Sequence, residues 1–505
     1  MSPARPVRAA EPPQEASSSA AASRYAVLFM YAMENNRAKI RFCGIVPRRS
    51  CIFVLRSGEF YLSLSVQTFD PNDTMWKRLT LLCLLFTTVS LAASGADGGR
   101  VGQRIAALEG VEETKALPAG EFAGKYEVML TQPLDWRHPE RGSFLQRVVV
   151  MHVGWDRPTV LITQGYDANF ALPEKYRDEL SELFDTNIVF VEHRYFDRST
   201  PEPLDWRYLT AENSACDLHR IRTLFGELYP GKWIASGISK GGTTTMLYAA
   251  YFPGDVDIYV PYVGPVCHAV EDKRFAPFLA QVGTAESRAA VREFQREVFR
   301  RKADLMPGFR AVCEQKGYAF RVPVEEIFDY CTLELGFSLW QWGFDPEKLP
   351  SAEASDEEVL DFLVANAGPD YFSSGNAQAP FFVQAARELG YYPYDAEPFR
   401  EYTSVDTRDY LRRLFLPEEL RGTKFSKKLG RKITRYLKRN DPRMIFIYGG
   451  DDPWTAPGAA WAATPGKRNM KAFVQPGGSH RTRIATLPDS MRREAVATLR
   501  GWLAE

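Results

Sequence analysis

Gly237-Ile238-Ser239-Lys240-Gly241 is the stretch on which the fold turns. It fits the pattern G-x-S-x-G. A strand-like run, Lys232-Trp-Ile-Ala-Ser236, leads into it, and Gly242 to Tyr251 reads as a helix closed by Phe252-Pro253-Gly254. A sharp turn between strand and helix lifts a serine oxygen clear of the backbone. Glycines flank it because a side chain would clash in so tight a turn. The bare pattern is weak, with about 0.2 chance matches expected in a chain of this length. The strand-turn-helix context favours a nucleophile over a plain glycine-rich turn.

Strands and helices alternate around this turn from about residue 120. Tyr126 to Leu130 and Phe144 to Met151 read as paired early strands. Thr159-Val-Leu-Ile162 and Asn187-Ile-Val-Phe-Val191 are short and almost wholly apolar, as strands buried on both faces are. Residues 211–228 place Leu218, Ile221, Leu224, Phe225 and Leu228 at helical spacing. Asp257 to Val263 reads as the strand after the serine's helix. Strands separated by helices imply a parallel α/β sheet.

The alternation stops at about 269. Residues 269–440 are aromatic-rich and helical in pattern, and the sheet resumes at Met444-Ile-Phe-Ile-Tyr448 and Met470-Lys-Ala-Phe-Val474. A final amphipathic helix runs from Asp489 to Leu503. The basic stretch from Lys424 to Arg439 reads as a solvated helix face over a buried stripe of Phe425, Leu429, Ile433 and Leu437, rather than as a nucleic-acid site.

The chain has 505 residues, with 63 basic and 63 acidic side chains, a balance that gives no reason to expect a nucleic-acid partner. Met75-Trp-Lys77-Arg78, the apolar run Leu79 to Leu91 and Ala92-Ala-Ser-Gly-Ala96 have the anatomy of a secretory signal peptide. The run is too short for a comfortable membrane span, so no stable membrane anchor is expected. Its internal position makes Met75 the expected start and residues 1–74 a mis-annotated upstream extension. Cleavage after Ala92 or Ala96 would leave an exported protein with Cys216, Cys267, Cys313 and Cys331, enough for two disulfides. No C-x-x-C pair is present, and neither metal nor organic cofactor is implied. The expected divisions are 1–74, the leader 75–96, a first α/β part with the serine (97–268), a helical insert (269–440) and a second α/β part (441–505).

A serine hydroxyl needs a base, and the base needs an orienting carboxylate. In α/β-hydrolases the chain order is Ser, Asp or Glu, His. After the insert, Tyr448-Gly-Gly-Asp451-Asp452-Pro453-Trp454 puts carboxylates just past one strand, and Gln475-Pro-Gly-Gly-Ser-His480 puts an imidazole just past the next. Of six histidines, only His480 has that order and loop context. Asp452 is placed ahead of its neighbour Asp451. The oxyanion donors are expected to be the N–H of Lys240 and one from the loop Thr163-Gln-Gly-Tyr-Asp167, at Gly165 or Tyr166. The Lys240 side chain should point away from Ser239, which disfavours a Ser-Lys dyad.

Gln132-Pro-Leu-Asp-Trp-Arg-His-Pro139, Glu192-His-Arg-Tyr-Phe196, Asp217-Leu-His-Arg220, Gly237-Ile-Ser-Lys-Gly-Gly242 and Asp452-Pro-Trp454 resemble the secreted serine aminopeptidases of the streptomycete tripeptidyl aminopeptidase type. The likeness covers the chain beyond the leader. It implies an α/β-hydrolase sheet with a large helical cap inserted between the nucleophile half and the Asp/His half. It also implies a Ser239-Asp452-His480 triad that releases tri- or tetrapeptides from peptides with free N-termini, often after proline. Thr243 departs from the methionine expected there. Glu334 and Glu388 are candidates to read the substrate ammonium. Trp340 and Trp342, with Phe337, are candidates to stack on a proline ring. Glu192 and Arg194 suggest a buried ion pair bracing the site. The competing readings are an exported esterase or lipase with the same triad, and an inactive binding protein of this fold.

Overall fold

The computed structural model describes residues 51–57, 60–66 and 100–505. The leader read at 75–96 and most of 1–74 lie outside the described residues. Within the upstream unit, Cys51–Ser57 and Phe60–Val66 pair antiparallel, with Cys51 opposite Val66. The sequence reading assigns no element there. The alternation in Leu62-Ser-Leu-Ser-Val66 is the signal for the second strand. The unit from Ala96 onward is separate and carries the site.

That unit is built on nine strands: β1 (Val111–Ala116), β2 (Gly124–Pro133), β3 (Ser143–His152), β4 (Thr159–Thr163), β5 (Asn187–Val191), β6 (Trp233–Ile238), β7 (Ile258–Tyr262), β8 (Met444–Gly449) and β9 (Met470–Gln475). Their order across the sheet is β9-β8-β7-β6-β4-β5-β3-β2-β1. From β9 to β5 all neighbours are parallel. The meander β1-β2-β3 closes the far side antiparallel, with Tyr126 opposite Val150. This mostly parallel sheet with helices packed on it is the α/β-hydrolase fold.

The parallel strands β4, β5, β7 and β8 are buried along their whole length because both of their faces are covered, and the antiparallel β3 is covered on both faces over most of its length. In β3, Val148 and Val150 enter one core and Val149 and Met151 the opposite one. β1 escapes the sequence reading because Val-Glu-Glu-Thr-Lys-Ala is an edge strand, and charged side chains suit an edge. β6 runs two residues further than expected, straight into the serine turn.

Three helices matter for the site: α1 (Glu179–Phe184), α2 (Ala211–Gly226) and α3 (Lys240–Tyr251), which begins at the residue after Ser239. Between β7 and β8 the chain leaves the sheet for a helical excursion with its own aromatic core. Its main helices are α4 (Ala285–Arg300), α5 (Lys302–Lys316), α6 (Val324–Trp342), α7 (Asp356–Asn366) and α8 (Lys428–Arg439). In α8, Leu429, Ile433, Tyr436 and Leu437 are buried, while Phe425 lies before the helix. The C-terminal helix, α9, spans Asp489–Ala504.

Cys216, Cys267, Cys313 and Cys331 are free thiols, so the two disulfides that four cysteines could make are not formed. Cys267, Cys313 and Cys331 are packed as small apolar side chains in the core of the excursion, while Cys216 lies on α2 in the α/β part. Burial raises the Cys216 and Cys313 thiols to about 11.

Candidate active site

Ser239 has φ 59° and ψ −121°, a conformation a non-glycine residue holds only when its surroundings enforce it. The enforcement comes from both sides. Its N–H donates to Tyr262 O at 2.9 Å, and its carbonyl accepts from Thr243 N at 3.0 Å. A Cβ on Gly237 would stand 2.4 Å from the Gly241 carbonyl oxygen, and one on Gly242 2.5 Å from that of Tyr262. The glycines are therefore what allows β6, α3 and β7 to meet at this turn.

β8 and β9 carry the other two members to the same edge. His480 Nδ1 lies 2.7 Å from Asp452 Oδ2, with both side chains buried. Asp452 Oδ1 accepts from Trp454 N at 3.1 Å, which fixes the carboxylate. Asp451 is not the partner of His480; its N–H donates to Gly478 O, so it pins the histidine loop by its backbone. The His480 N–H donates to Gln341 O at the end of α6, tying the loop to the helical excursion. Glu179 accepts from Tyr262 Oη and from the N–H groups of Ile484 and Ala485, tying it to α1.

Among the described residues, His480 Nε2 is buried without a hydrogen-bond partner, and His480 lines the same cavity as Ser239. The serine hydroxyl lies beside the Tyr166 phenol and favours its ionised form. That influence offsets part of the upward shift that desolvation imposes on the phenol. The Asp452–His480 pair is thus assembled with Nε2 turned to the cavity.

The loop after β4 is heavily braced. Gln164 Oε1 accepts the N–H of Gly165 at 3.0 Å, and Gln164 Nε2 donates to Asp167 O. His193 N donates to Tyr166 O, and Ala168 N to Glu192 Oε2. The Gly165 N–H is therefore already committed. Among the described residues no acceptor is found for the N–H of Tyr166 or of Lys240. The Lys240 side chain turns away from Ser239 and donates from Nζ to Gly165 O. Burial pushes its ammonium well below the usual lysine range, with Glu388 pulling weakly upward.

The cavity measures about 970 Å³ and lies between the strand ends and the helical excursion. Glu334, on α6, lines it. Its carboxylate is buried, accepts from Tyr392 Oη at 2.9 Å and from Tyr394 Oη at 2.5 Å, and makes no ion pair among the described residues. Burial raises its pKa to about 7, and the two tyrosine hydroxyls pull the other way. Glu388 is placed differently. It accepts the N–H of Ala211 at 2.7 Å at the start of α2 and does not line the cavity.

Trp342 lines the cavity, half exposed, with its ring edge-on to His480 at 5.7 Å between centroids. Trp340 does not reach it; its ring packs against Phe344 and over Gly283. Phe337 is spent on a stack with Tyr392 at 3.7 Å. The helical period explains this: Phe337 and Trp340 lie three apart on the packed face of α6, and Trp342 falls off it. Tyr371, Tyr391 and Tyr392 also line the cavity, and the sequence reading does not single them out. The dense word Gly390-Tyr-Tyr-Pro-Tyr394 is the available signal for the last two. Thr243 lines the cavity too, its hydroxyl held by Pro265 O.

Glu192 and Arg194 do not pair with each other. Each finds its own partner. Glu192 binds Arg147, Ser199 and Ala168 N; Arg194 holds Asp217 through two bonds of 2.6 and 2.7 Å. Among the described residues no group of His, Cys, Asp and Glu side chains is arranged to hold a metal ion.

The chain is 28% identical over 427 residues to the prolyl tri/tetrapeptidyl aminopeptidase of Streptomyces mobaraensis, covering 82% of this chain and 87% of that one. Among solved structures it is similar to a proline iminopeptidase of Mycobacterium smegmatis, 12% identical over 78% of this chain and 99% of that one, with a TM-score of 0.37. A peroxisomal alpha-beta-hydrolase of Saccharomyces cerevisiae is similar at 12% identity, 78% and 90% coverage and a TM-score of 0.36. The family model described as PS-10 peptidase S37 matches residues 102–504, and the chain belongs to that peptidase family.

Proposed function

We propose that this serine aminopeptidase is exported and releases tri- or tetrapeptides from free N-termini, favouring proline at the scissile bond, through an acyl-enzyme on Ser239. The observation that carries the reading is one cavity lined by Ser239, the Asp452-paired His480 and the unpaired carboxylate of Glu334. A buried carboxylate with hydroxyl donors and no cation suits a substrate ammonium, and it stands in the cavity wall supplied by the helical excursion.

In the first step Ser239 Oγ attacks the scissile carbonyl carbon, while its proton passes to His480 Nε2. Asp452 stabilises the imidazolium through Nδ1–H. The oxyanion is received by the N–H groups of Lys240 and Tyr166. Collapse expels the amine of the shortened chain, which takes the proton from His480. Water then repeats the sequence, frees the short peptide and restores the serine. In this reading residues 97–268 and 441–505 carry the triad and residues 269–440 close the cavity.

A fluorophosphonate probe should label the protein, and Ser239→Ala should abolish labelling. Free peptidyl-proline fluorogenic substrates should be cleaved, and N-acetylation should stop cleavage. Equal cleavage of acetylated peptides removes the exopeptidase reading, and preference for p-nitrophenyl esters favours the esterase. For export, N-terminal sequencing of the protein recovered outside the cytoplasm should begin just after Ala92 or Ala96.

A further inference from the structure

Lys240 is a buried amine for which the triad has no use. Its side chain brings up to three N–H donors into a desolvated place, yet Gly165 O is its one hydrogen-bond acceptor, and it makes no ion pair, among the described residues. The rings of Tyr166 and Phe196, with centroids 5.7 and 5.2 Å from Nζ, return only part of that cost. An apolar side chain of the same length would pack there more cheaply. The position of its single acceptor accounts for the amine.

Gly165 O belongs to the same peptide unit as the N–H of Tyr166. In a planar trans peptide the carbonyl and the N–H point in opposite directions. Holding one therefore aims the other. The flanking bonds leave this peptide little other freedom, since Gly165 N–H is held by Gln164 Oε1 and Tyr166 O by His193 N. A Cβ on Gly165 would stand 2.7 Å from Lys240 Cβ, so the loop also lies directly on the lysine.

We propose that the Lys240 side chain is a positioning residue for the oxyanion site: Nζ holds the Gly165 carbonyl so that the Tyr166 N–H and the backbone N–H of Lys240 converge on one point. One residue then supplies the first donor through its backbone and aims the second through its side chain. The inference rests on the reading of Ser239 as nucleophile given above. A misplaced donor costs most when charge develops on the oxygen, so the effect belongs to the transition state and not to substrate binding.

Lys240→Met in the full chain keeps the backbone donor and the side-chain length but removes the hold on Gly165. The expected result is a fall in kcat of about 100-fold with KM nearly unchanged. Affinity for a peptide boronate, which copies the tetrahedral state, should weaken by the same factor as kcat/KM. A kcat within about threefold of wild type, or a loss confined to KM, overturns the proposal. Should the variant fail to fold, a crystal structure of the wild-type protein with the boronate decides. The expected result is a boronate oxygen about 3 Å from both N–H groups, with Nζ still on Gly165 O. An oxygen bound by other donors, with boron bonded to Ser239, overturns the role of Lys240 alone. Boron that does not bond to Ser239 overturns the nucleophile reading and this inference with it.

Discussion

Among single residues, a side chain takes its character from what surrounds it. Glu334 and Glu388 look alike in sequence, and burial raises both to about 7. Only Glu334 lines the cavity; Glu388 caps a helix. The raised pKa of Glu334, from an ordinary 4.5, means that the folded protein binds this proton more tightly than the unfolded chain. Its carboxylate therefore costs stability. The cost is absent below about 4.5, grows as pH rises through the window up to about 7, and is complete above it. It accumulates at roughly 1.4 kcal/mol for each pH unit crossed inside that window. Glu334→Gln should thus raise the thermal midpoint near pH ~8 and leave it almost unmoved near pH ~4. The same substitution should raise KM for free peptides by about 10- to 100-fold, the worth of one charge-assisted contact. In the wild type, KM should climb as pH falls below about 7, and in the variant it should stay flat. A wild-type KM that ignores pH would separate Glu334 from ammonium recognition.

Within the secondary-structure elements, the serine turn shows how glycine spacing becomes geometry. Gly237 faces the Gly241 carbonyl, and Ile238 between them is exposed. Gly237→Ala should destabilise by about 1–3 kcal/mol and remove activity, because backbone must shift to admit the methyl group. Ile238→Ala should change stability by no more than about 0.5 kcal/mol. Chemical denaturation of both variants tests the contrast, and equal losses would mean that the turn is not packed as described. Helix α6 works differently. It gives Phe337 and Trp340 to the interior, Glu334 and Trp342 to the cavity, and the carbonyl of Gln341 to the histidine loop. Composition alone does not reveal that division, because the helix is apolar on nearly every side.

Across the catalytic unit, the site exists because two cores meet above the sheet edge. Trp454, two residues after Asp452, packs with Phe275, Phe337, Tyr391 and Tyr392 of the helical excursion. Trp454→Ala should cost about 3–5 kcal/mol and lower kcat, since the Asp452 carboxylate accepts from this residue's N–H. A stable variant with full kcat would show that the excursion is not needed to hold Asp452. The parallel α/β order, the elbow at Ser239 and the chain order of acid and imidazole are all legible in the amino-acid string. Local patterns carry those features: runs of apolar residues, glycines at fixed offsets, and a polar loop just past a strand. The string leaves open which of Asp451 and Asp452 turns toward the imidazole, that the cysteines stay unpaired, and that Glu192 and Arg194 take separate partners. Nor does it separate Glu334 from Glu388 or Trp342 from Trp340. These are settled in three dimensions, because each depends on which side of a strand or helix meets a segment far away in the chain, and on the desolvation that follows from that meeting.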